Sequence, residues 1–312
     1  MKLIESKAEL VLQQEGLEGV YKQIEFCGRT CYKSEDKITE DSAKGFVERM
    51  IKSNHTAMLE HGTVYLKLEN KAYNAPFDAE YYNIVQKYER NKYSKIVVVP
   101  TFVCKNDVGN DVYTNTYYIT TNLRVLVENS WLEDLKYICE PTQYHEKRYT
   151  IKFNADIHFY KDATRHRSLS YAIESTRFCN YLKEKFGMSV SFMRPSWLTE
   201  QFRDEFEEDC KTLEQIYFKW INKGLKAEQA AYFLCQGTAA EVCMTGFASD
   251  WRFFFDLRYY GKTGKPHPDM ELLASKARSE FMKAGLWDNI IVCPTKFDKD
   301  DKDDKDDTER KD

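Results

Sequence analysis

The part of the sequence best suited to binding chemistry is a thirteen-residue segment, 165–177, that is rich in arginine and hydroxyl side chains. Its candidate phosphate-binding residues are Arg165, His166, Arg167, Ser175, Thr176 and Arg177. A guanidinium group donates hydrogen bonds in a fixed fork that suits phosphate oxygens, and serine and threonine hydroxyls add short donors beside it. We therefore expect this segment to bind one or two phosphate groups.

A solvated basic helix face is the alternative interpretation of this segment. Two observations favour binding. The only acids close in sequence are Asp162 and Glu174, and a buried cluster of cations is costly unless anions compensate it. Aromatic and apolar residues also surround the cations: Phe159, Tyr160, Leu169, Tyr171, Ile173, Phe178 and Tyr181. We place Asp162, Glu174 and Thr176 in the same substrate-binding set. This interpretation would fail if the guanidinium groups were neutralised by the protein's own carboxylates with no cleft beside them.

Charge and composition exclude some classes of function. The 312 residues carry a net charge of −4, and the tail Asp298–Asp312, with nine acidic and five basic residues, accounts for all of it. The rest is balanced, so no global basic field predicts nucleic-acid binding. No apolar run is long enough for a membrane span. The tail cannot bury apolar surface, and we expect it to be disordered.

Cysteine usage and the first residues bear on the compartment. The nine cysteines are scattered and odd in number, and the first residues, MKLIESKAEL, carry charges where a signal peptide needs an apolar stretch. We expect reduced thiols and a cytoplasmic protein. No metal site is predicted.

The elements that must position the segment follow from apolar periodicity. Helical spacing predicts helices at 17–32, 39–51, 81–93, 123–135 (interrupted near Asn129), 199–221, 227–234, 250–257 and 270–284. Alternation and β-branched runs predict strands near 1–12 and at 63–68, 96–104, 112–119 and 148–153, with a turn at 106–111. Strands come in neighbouring pairs and most helices follow late, which favours an α+β fold.

Several blocks of the sequence, in order, resemble the flavin-dependent thymidylate synthases (the ThyX family). They are GRTCY at 28–32, NHTAMLEHG at 54–62, the RHR and STR tripeptides of the 165–177 segment, FGMSVSFMRPSW at 186–197, MTGFASDWRFFFDLR at 244–258 and HPDMELLA at 267–274. The resemblance covers about residues 1–285. It implies a mainly antiparallel sheet flanked by helices, one synthase domain over 1–297, and an enlarged insertion at about 70–150 that packs outside the core.

The resemblance also implies a reaction and a set of roles. FAD takes hydride from NADPH, methylenetetrahydrofolate gives the carbon, and dUMP becomes dTMP, in homotetramers whose active sites lie between subunits. The residues carried over to FAD binding are His55, Glu60, Arg165, His166, Arg167, Arg29 and His267. Those carried over to dUMP are Ser175, Arg177 and Arg258.

The chemistry agrees with these roles because a synthase without a protein nucleophile must activate uracil electrostatically. The classical synthase attacks C6 with a cysteine in a Pro-Cys-His context, whereas this chain has only the reverse order, Cys293-Pro294. We expect Arg258 to be the catalytic residue that polarises the pyrimidine. Ser175 is expected to hold dUMP rather than attack it, since it lacks an evident activating base.

Some positions depart from the family pattern and leave other functions open. They are Cys31, Asp162, Ala172, Ile173, Ala231, Cys235 and Phe247. The alternatives are a related flavin and folate enzyme that makes another C5-substituted deoxyuridylate, or a catalytically silent nucleotide-binding homologue. Two features are expected to be structural. GKTGKP at 261–266 does not fit a phosphate loop, and the aromatic run 251–255 is expected in the core or a subunit interface.

Overall fold

The chain folds as an α+β protein in which antiparallel sheets are flanked by helices. A computed structural model describes residues 1–69, 79–105 and 111–292, so the predicted turn near 106–110 and the charged tail lie outside the described residues. The strands are β1 Lys2–Ile4, β2 Lys7–Val11, β3 Thr63–Glu69, β4 Lys95–Lys105, β5 Asp111–Asn122, β6 Arg148–Asp156, β7 Ser170–Ile173, β8 Ser191–Met193 and β9 Ala239–Phe247. The helices are α1 Gly16–Tyr32, α2 Ser42–Lys52, α3 Ala79–Glu89, α4 Leu123–Glu128, α5 Ile157–Ala163, α6 Glu200–Asn222, α7 Ala227–Ala230, α8 Ala248–Arg258, α9 Pro268–Lys283 and α10 Trp287–Ile291.

The main sheet has the strand order β2-β6-β9-β7 and is antiparallel throughout. Strand β9 lies inside it and is buried along almost its whole length. Helices α8 and α9 cover one side, where Trp251, Phe254, Phe255 and Phe281 are completely buried. The aromatic run at 251–255 is therefore core, as predicted. Because α8 begins directly after β9, this core also fixes the position of its last residue, Arg258.

A second antiparallel sheet, β3-β5-β4, packs with α1, α2 and α4 around a separate hydrophobic cluster. The segment 70–150 contributes α3 and the β4–β5 hairpin to it, and Ile84, Tyr88 and Ile119 are buried there. The segment lies almost wholly outside the main core, and its buried side chains join those of α1, α2 and β3 in a second core. Strands β1 and β8 form a small parallel pair.

Helices α1 and α2 approach closely at a glycine. A Cβ placed on Gly28 would lie 2.5 Å from Cζ of Phe46, which is buried. Only a residue without a side chain lets the two helices pack at this distance. This contact fixes the C-terminal end of α1, whose next residue, Lys33, ends the helix in a left-handed conformation with φ 48°.

None of the helices among the described residues is long and apolar enough to cross a membrane. All eight cysteines in the described part of the chain are free thiols. The sequence 261–266 forms a turn after α8, with positive φ at Gly261 and Gly264, so it is a surface loop as predicted.

Candidate functional site

Two sequence-distant predicted site residues, His166 and Arg258, are in direct contact. Arg258 Nε donates to His166 Nε2 at 3.0 Å, and its Nη2 donates to the backbone oxygen of Asp162 at 3.0 Å. The Asp162 carboxylate lies 3.9 Å from Arg258 Nη1. Helix α5 ends just before His166 and α8 ends at Arg258, so the two helix ends meet here.

His166 is held as a neutral acceptor. It is buried with rings of Phe253 and Phe254 at 5.6 and 5.2 Å, and burial together with the charge of Arg258 lowers its pKa to about 4. Because Nε2 accepts from Arg258, the proton of the ring is on Nδ1, and Nδ1 is buried with no partner among the described residues. His166 therefore orients Arg258 without neutralising it.

The other two arginines of the RHR tripeptide face solvent. The Arg165 side chain is 72% exposed and makes one contact, 3.2 Å from the Asp162 carboxylate. Arg167 is exposed and has no ion-pair partner within the described residues. An exposed ion pair of this kind contributes little stability. Most of the donors of these guanidinium groups are therefore available to a ligand.

The Ser175–Arg177 turn follows β7 and is anchored to α1. The backbone N–H of Ser175 donates to the oxygen of Cys31 at 2.9 Å. Arg177 is 72% exposed, with its Nε 3.6 Å from the carboxylate of Glu228. The ring of Phe178 is exposed and lies edge-on to Tyr32. Thr176 is half-buried beside them.

Glu174 lies below this turn. Its two carboxylate oxygens accept from the Tyr181 hydroxyl at 3.1 Å and from the backbone N–H of Glu241 at 3.2 Å. Lys33 lies 3.8 Å from Glu174 and 2.6 Å from the Glu241 carboxylate. Burial raises the pKa of Glu174, and Lys33 opposes that effect. Protein donors thus occupy Glu174, which supports the turn from beneath.

An ion network that the sequence did not reveal extends from Glu174. Lys152 on β6 lies 2.9 Å from the Glu241 carboxylate, which also binds Lys33. Burial of Glu241 raises its pKa, but the charges of Lys33 and Lys152 outweigh burial, so the pKa of Glu241 is lowered. The network joins the end of α1 to β6 and β9 below the Ser175–Arg177 turn. Lys33 directly follows the GRTCY block, which was the only sequence signal near it.

The remaining residues predicted to bind flavin have partners of their own. Arg29 is mostly buried, and its Nε and Nη2 both donate to Glu25 Oε1, at 3.1 and 2.9 Å. Glu60 lies 2.5 Å from Arg124 Nη1. His55 is exposed before a short 3-10 helix. These contacts link none of the three to the Arg258 cluster, which consists of Arg258, His166 and Asp162.

His267 begins α9 as its capping residue. Its Nδ1 accepts from the backbone N–H of Asp269 at 3.3 Å, and its ring centroid lies 4.5 Å from that of His158. His158 stands in the first turn of α5, the helix that leads to Asp162 and the RHR tripeptide. His267 is therefore connected to the cluster through one helix. The Asp156 side chain caps that helix by accepting from Phe159 N at 2.7 Å.

The cavities do not coincide with this site. One of about 280 Å³ and one of about 240 Å³ are lined by none of the predicted site residues. Arg165, Arg167 and Arg177 are exposed in the single chain, whereas His166 is buried and Arg258 is half-buried. Within the described residues, Arg165 and Arg177 each lie within ion-pair distance of one carboxylate, so both guanidinium groups are left partly unsatisfied.

Comparison with known proteins gives a family-model match over part of the chain and a structural likeness at low identity. Residues 143–284 match the family model Thy1, described as thymidylate synthase complementing protein. No curated protein matches the chain. Two solved structures of a UMP/dUMP methylase, PolB, from Streptomyces cacaoi are similar at 13% identity: the complex with 5-Br dUMP has a TM-score of 0.41 and the complex with 5-Br UMP one of 0.43. Each alignment covers 93% of this chain, and 97% and 95% of those chains respectively.

Proposed function

We propose that this chain, in which residues 143–284 match the family model Thy1, is an FAD-dependent thymidylate synthase. Its reaction converts dUMP to dTMP, with methylenetetrahydrofolate as carbon donor and NADPH as reductant. The observation that carries the proposal is the 3.0 Å contact between Arg258 and His166. It brings the RHR tripeptide into contact with Arg258, the last residue of the MTGFASDWRFFFDLR block, as one binding site requires.

The residues present fit the phosphate part of FAD. Arg165 and Arg167 are exposed on either side of buried His166, and neither has its donors saturated within the described residues. Two such guanidinium groups match the charge of a pyrophosphate. We assign them to FAD, with His55, Glu60, Arg29 and His267 in the surrounding wall. When bound, FAD supplies the hydride that completes the new methyl group.

Arg258 supplies the activation of uracil. Its guanidinium is half-buried and is anchored by the hydrogen bonds of Nε and Nη2. The third nitrogen, Nη1, lies 3.9 Å from the carboxylate of Asp162. A fixed positive group aimed at a uracil oxygen stabilises the negative charge that develops when C5 becomes nucleophilic. Because His166 is neutral, it does not neutralise the positive charge of Arg258. Arg258 is thus preorganised before substrate arrives.

Ser175 and Arg177 hold the nucleotide phosphate in this proposal, with Thr176 beside them. The Ser175 hydroxyl makes no hydrogen bond within the described residues, so no general base activates it as a nucleophile. Asp162 sets the spacing between Arg165 and Arg258, which it contacts at 3.2 and 3.9 Å. Glu174 supports the turn from below.

The open surface around these groups favours an active site shared between subunits. A flavin and a folate must be shielded from water for hydride transfer, whereas the side chains of Arg165, Arg167 and Arg177 are exposed in one chain. A homotetramer with the sites at its interfaces would supply the second wall. The proposal therefore includes that assembly.

A related product at C5 is the second candidate. Glu228 occupies part of the Arg177 guanidinium at 3.6 Å, and Ala231 stands in the following turn where the family often has an arginine. Both features weaken the phosphate end of the site. A nucleotide bound in a shifted position would lead to a different substrate, or to a different C5 substituent in the product, such as hydroxymethyl.

The first test concerns the flavin. The purified protein should be yellow, and its flavin absorbance should bleach under NADPH. Arg165→Ala should lower FAD retention about tenfold, because one charge-assisted phosphate contact contributes about 1.5 kcal/mol or more. Arg203→Ala, an exposed arginine on α6, is the matched control and should retain FAD normally. A colourless wild-type protein that ignores added FAD would refute the assignment.

The second test concerns turnover. Arg258→Ala should keep FAD but reduce kcat by about a hundredfold or more, as removal of an oxyanion donor does. Turnover of dUMP, measured with methylenetetrahydrofolate and NADPH, checks this. Unchanged turnover would remove Arg258 from the mechanism. Mass analysis of the nucleotide product from the wild type separates dTMP from another C5-substituted deoxyuridylate.

A further inference from the structure

A second candidate ligand site lies in the cavity of about 280 Å³, away from the Arg258 cluster. It opens between the end of β2, the start of α1 and the start of β6. Part of its wall is apolar, including Val11, Leu12, Ile138 and Leu286. The polar part includes Tyr65, Lys147 and Arg148. A mostly apolar cleft with a few convergent polar groups is the usual form of a small-molecule site.

Arg148 is a buried cation that no carboxylate pairs. It is 9% exposed, and its Nη1 donates to the backbone oxygen of Glu60 at 3.1 Å and to Thr63 Oγ1 at 3.3 Å. Its Nε has no partner among the described residues. The nearby acids are used elsewhere: the Glu60 carboxylate binds Arg124, and Asp250 accepts from Phe247 N.

Lys147 adds a second cation at the same wall. Its Nζ donates to the backbone oxygen of Thr142 and lies 5.6 Å from the centroid of the Tyr65 ring. It has no ion-pair partner within the described part of the chain. Glu15 and Glu140 also line the cavity, but both are exposed at its rim. Two cations in an apolar wall carry a desolvation cost that a bound anion would offset.

We propose that this cavity binds a small carboxylate ligand with an apolar or aromatic body. The carboxylate would lie against Lys147 and Arg148, and the body against the apolar wall. Arg148 matches a planar carboxylate in geometry, while Lys147 adds a flexible donor. None of the residues that line the cavity belongs to the proposed flavin and nucleotide site, although Arg148 contacts the backbone of Glu60 in the proposed FAD wall. The proposal does not depend on that function.

Cys139 gives a direct probe because it also lines the cavity and is half-buried. Alkylation by iodoacetamide would be followed at individual cysteines by mass spectrometry, in the full chain without flavin or nucleotide. Benzoate at about ten times its dissociation constant should slow alkylation of Cys139 about tenfold. Benzamide, which has the same shape without the charge, should protect far less. Cys235, half-buried elsewhere, is the internal control and should be unaffected.

A variant pair tests the recognition of the charge. Lys147→Met should abolish most of the protection by benzoate, and Lys147→Arg should restore it, which separates loss of charge from loss of folding. Equal protection by benzoate and benzamide would overturn the proposal, as would full protection in a folded Lys147→Met protein. Absence of any protection in the wild type up to high benzoate concentrations would overturn it as well.

Discussion

At the scale of single residues, the neutral state of His166 controls the geometry of Arg258. A protonated imidazole cannot accept the hydrogen bond from Nε, and it would place a second positive charge beside the guanidinium. Protonation of His166 is therefore unfavourable, which corresponds to its lowered pKa of about 4 against an ordinary 6.5. The proposed catalytic group is thus coupled to a titration that lies below neutral pH.

The sign of the resulting pH dependence follows from linkage. The unfolded chain takes up the His166 proton near pH 6.5, whereas the folded chain does so near pH 4, so this residue's stability contribution is lost as the pH falls between these values. One pH unit in that window corresponds to about 1.4 kcal/mol. Between pH 7 and pH 5 we expect a loss of about 2 kcal/mol attributable to His166.

His166→Gln isolates this contribution, because the glutamine oxygen can still accept from Arg258 but does not titrate. The free energy of unfolding in urea, measured at pH 7 and pH 5, should fall less in the variant than in the wild type. His61, whose burial lowers its pKa to about 3, titrates in both proteins and cancels in the comparison. Identical pH dependence in the two proteins would contradict the assigned state of His166.

At the scale of elements, the packing of α1 on α2 positions the anchor of the substrate turn. Helix α1 provides Cys31, whose backbone oxygen accepts from Ser175, and it ends at Lys33 of the ion network. The contact of Gly28 with Phe46 sets how closely the two helices approach. A change at Gly28 should therefore reach the Ser175–Arg177 turn as well as the core.

Gly28→Ala and Gly45→Ala form a matched pair of helical substitutions. A Cβ at Gly28 would lie 2.5 Å from Phe46, and overpacking of this kind costs about 1–3 kcal/mol. At Gly45 the nearest atom is the flexible end of Arg49 at 3.5 Å, so the gain in helix propensity, about 0.5–1 kcal/mol, should prevail. Thermal unfolding should show opposite shifts. A stabilising effect of both substitutions would mean that the two helices can separate without cost.

Elements with a clear period were predictable from the sequence, and others were not. Helices α1 and α6 were predicted within one residue at each end because their apolar residues recur at helical spacing. Strand β9 is buried on both faces, and its sequence AAEVCMTGF lacks the regular apolar–polar alternation that identifies a strand. Helix α5 has seven residues, too few to show a period, although its Asp156 cap was a usable signal.

The same limit applies to the candidate site. The RHR and STR tripeptides were visible because their chemistry is concentrated in one segment. The contact of Arg258 with His166 could be expected only through the family resemblance, since it joins two separate helix ends. The network of Lys33, Lys152 and Glu241 was not predicted, because its members lie far apart in the sequence and each resembles an ordinary surface charge.

At the scale of the whole molecule, the proposed site has two binding surfaces on one chain. The first is the Arg258 cluster with Arg165, and the second is the turn that carries Arg177. No described cavity is lined by both. If the homotetramer forms as proposed, a complete site can combine the first surface of one subunit with the second surface of another.

Mixing of two inactive variants tests this arrangement. Each mixed oligomer of Arg258→Ala and Arg177→Ala chains should contain some sites with an intact cluster from one chain and an intact turn from the other. For random equal mixing about a quarter of the sites should be complete, so co-expression should restore about that share of the wild-type turnover. Arg258→Ala co-expressed with the double variant Arg177→Ala/Arg258→Ala is the control and should stay inactive, because no chain in that mixture has an intact Arg258. Mixed oligomers of the first pair that form but remain as inactive as the control would show that each chain builds its own site, and the open surfaces would then need another explanation.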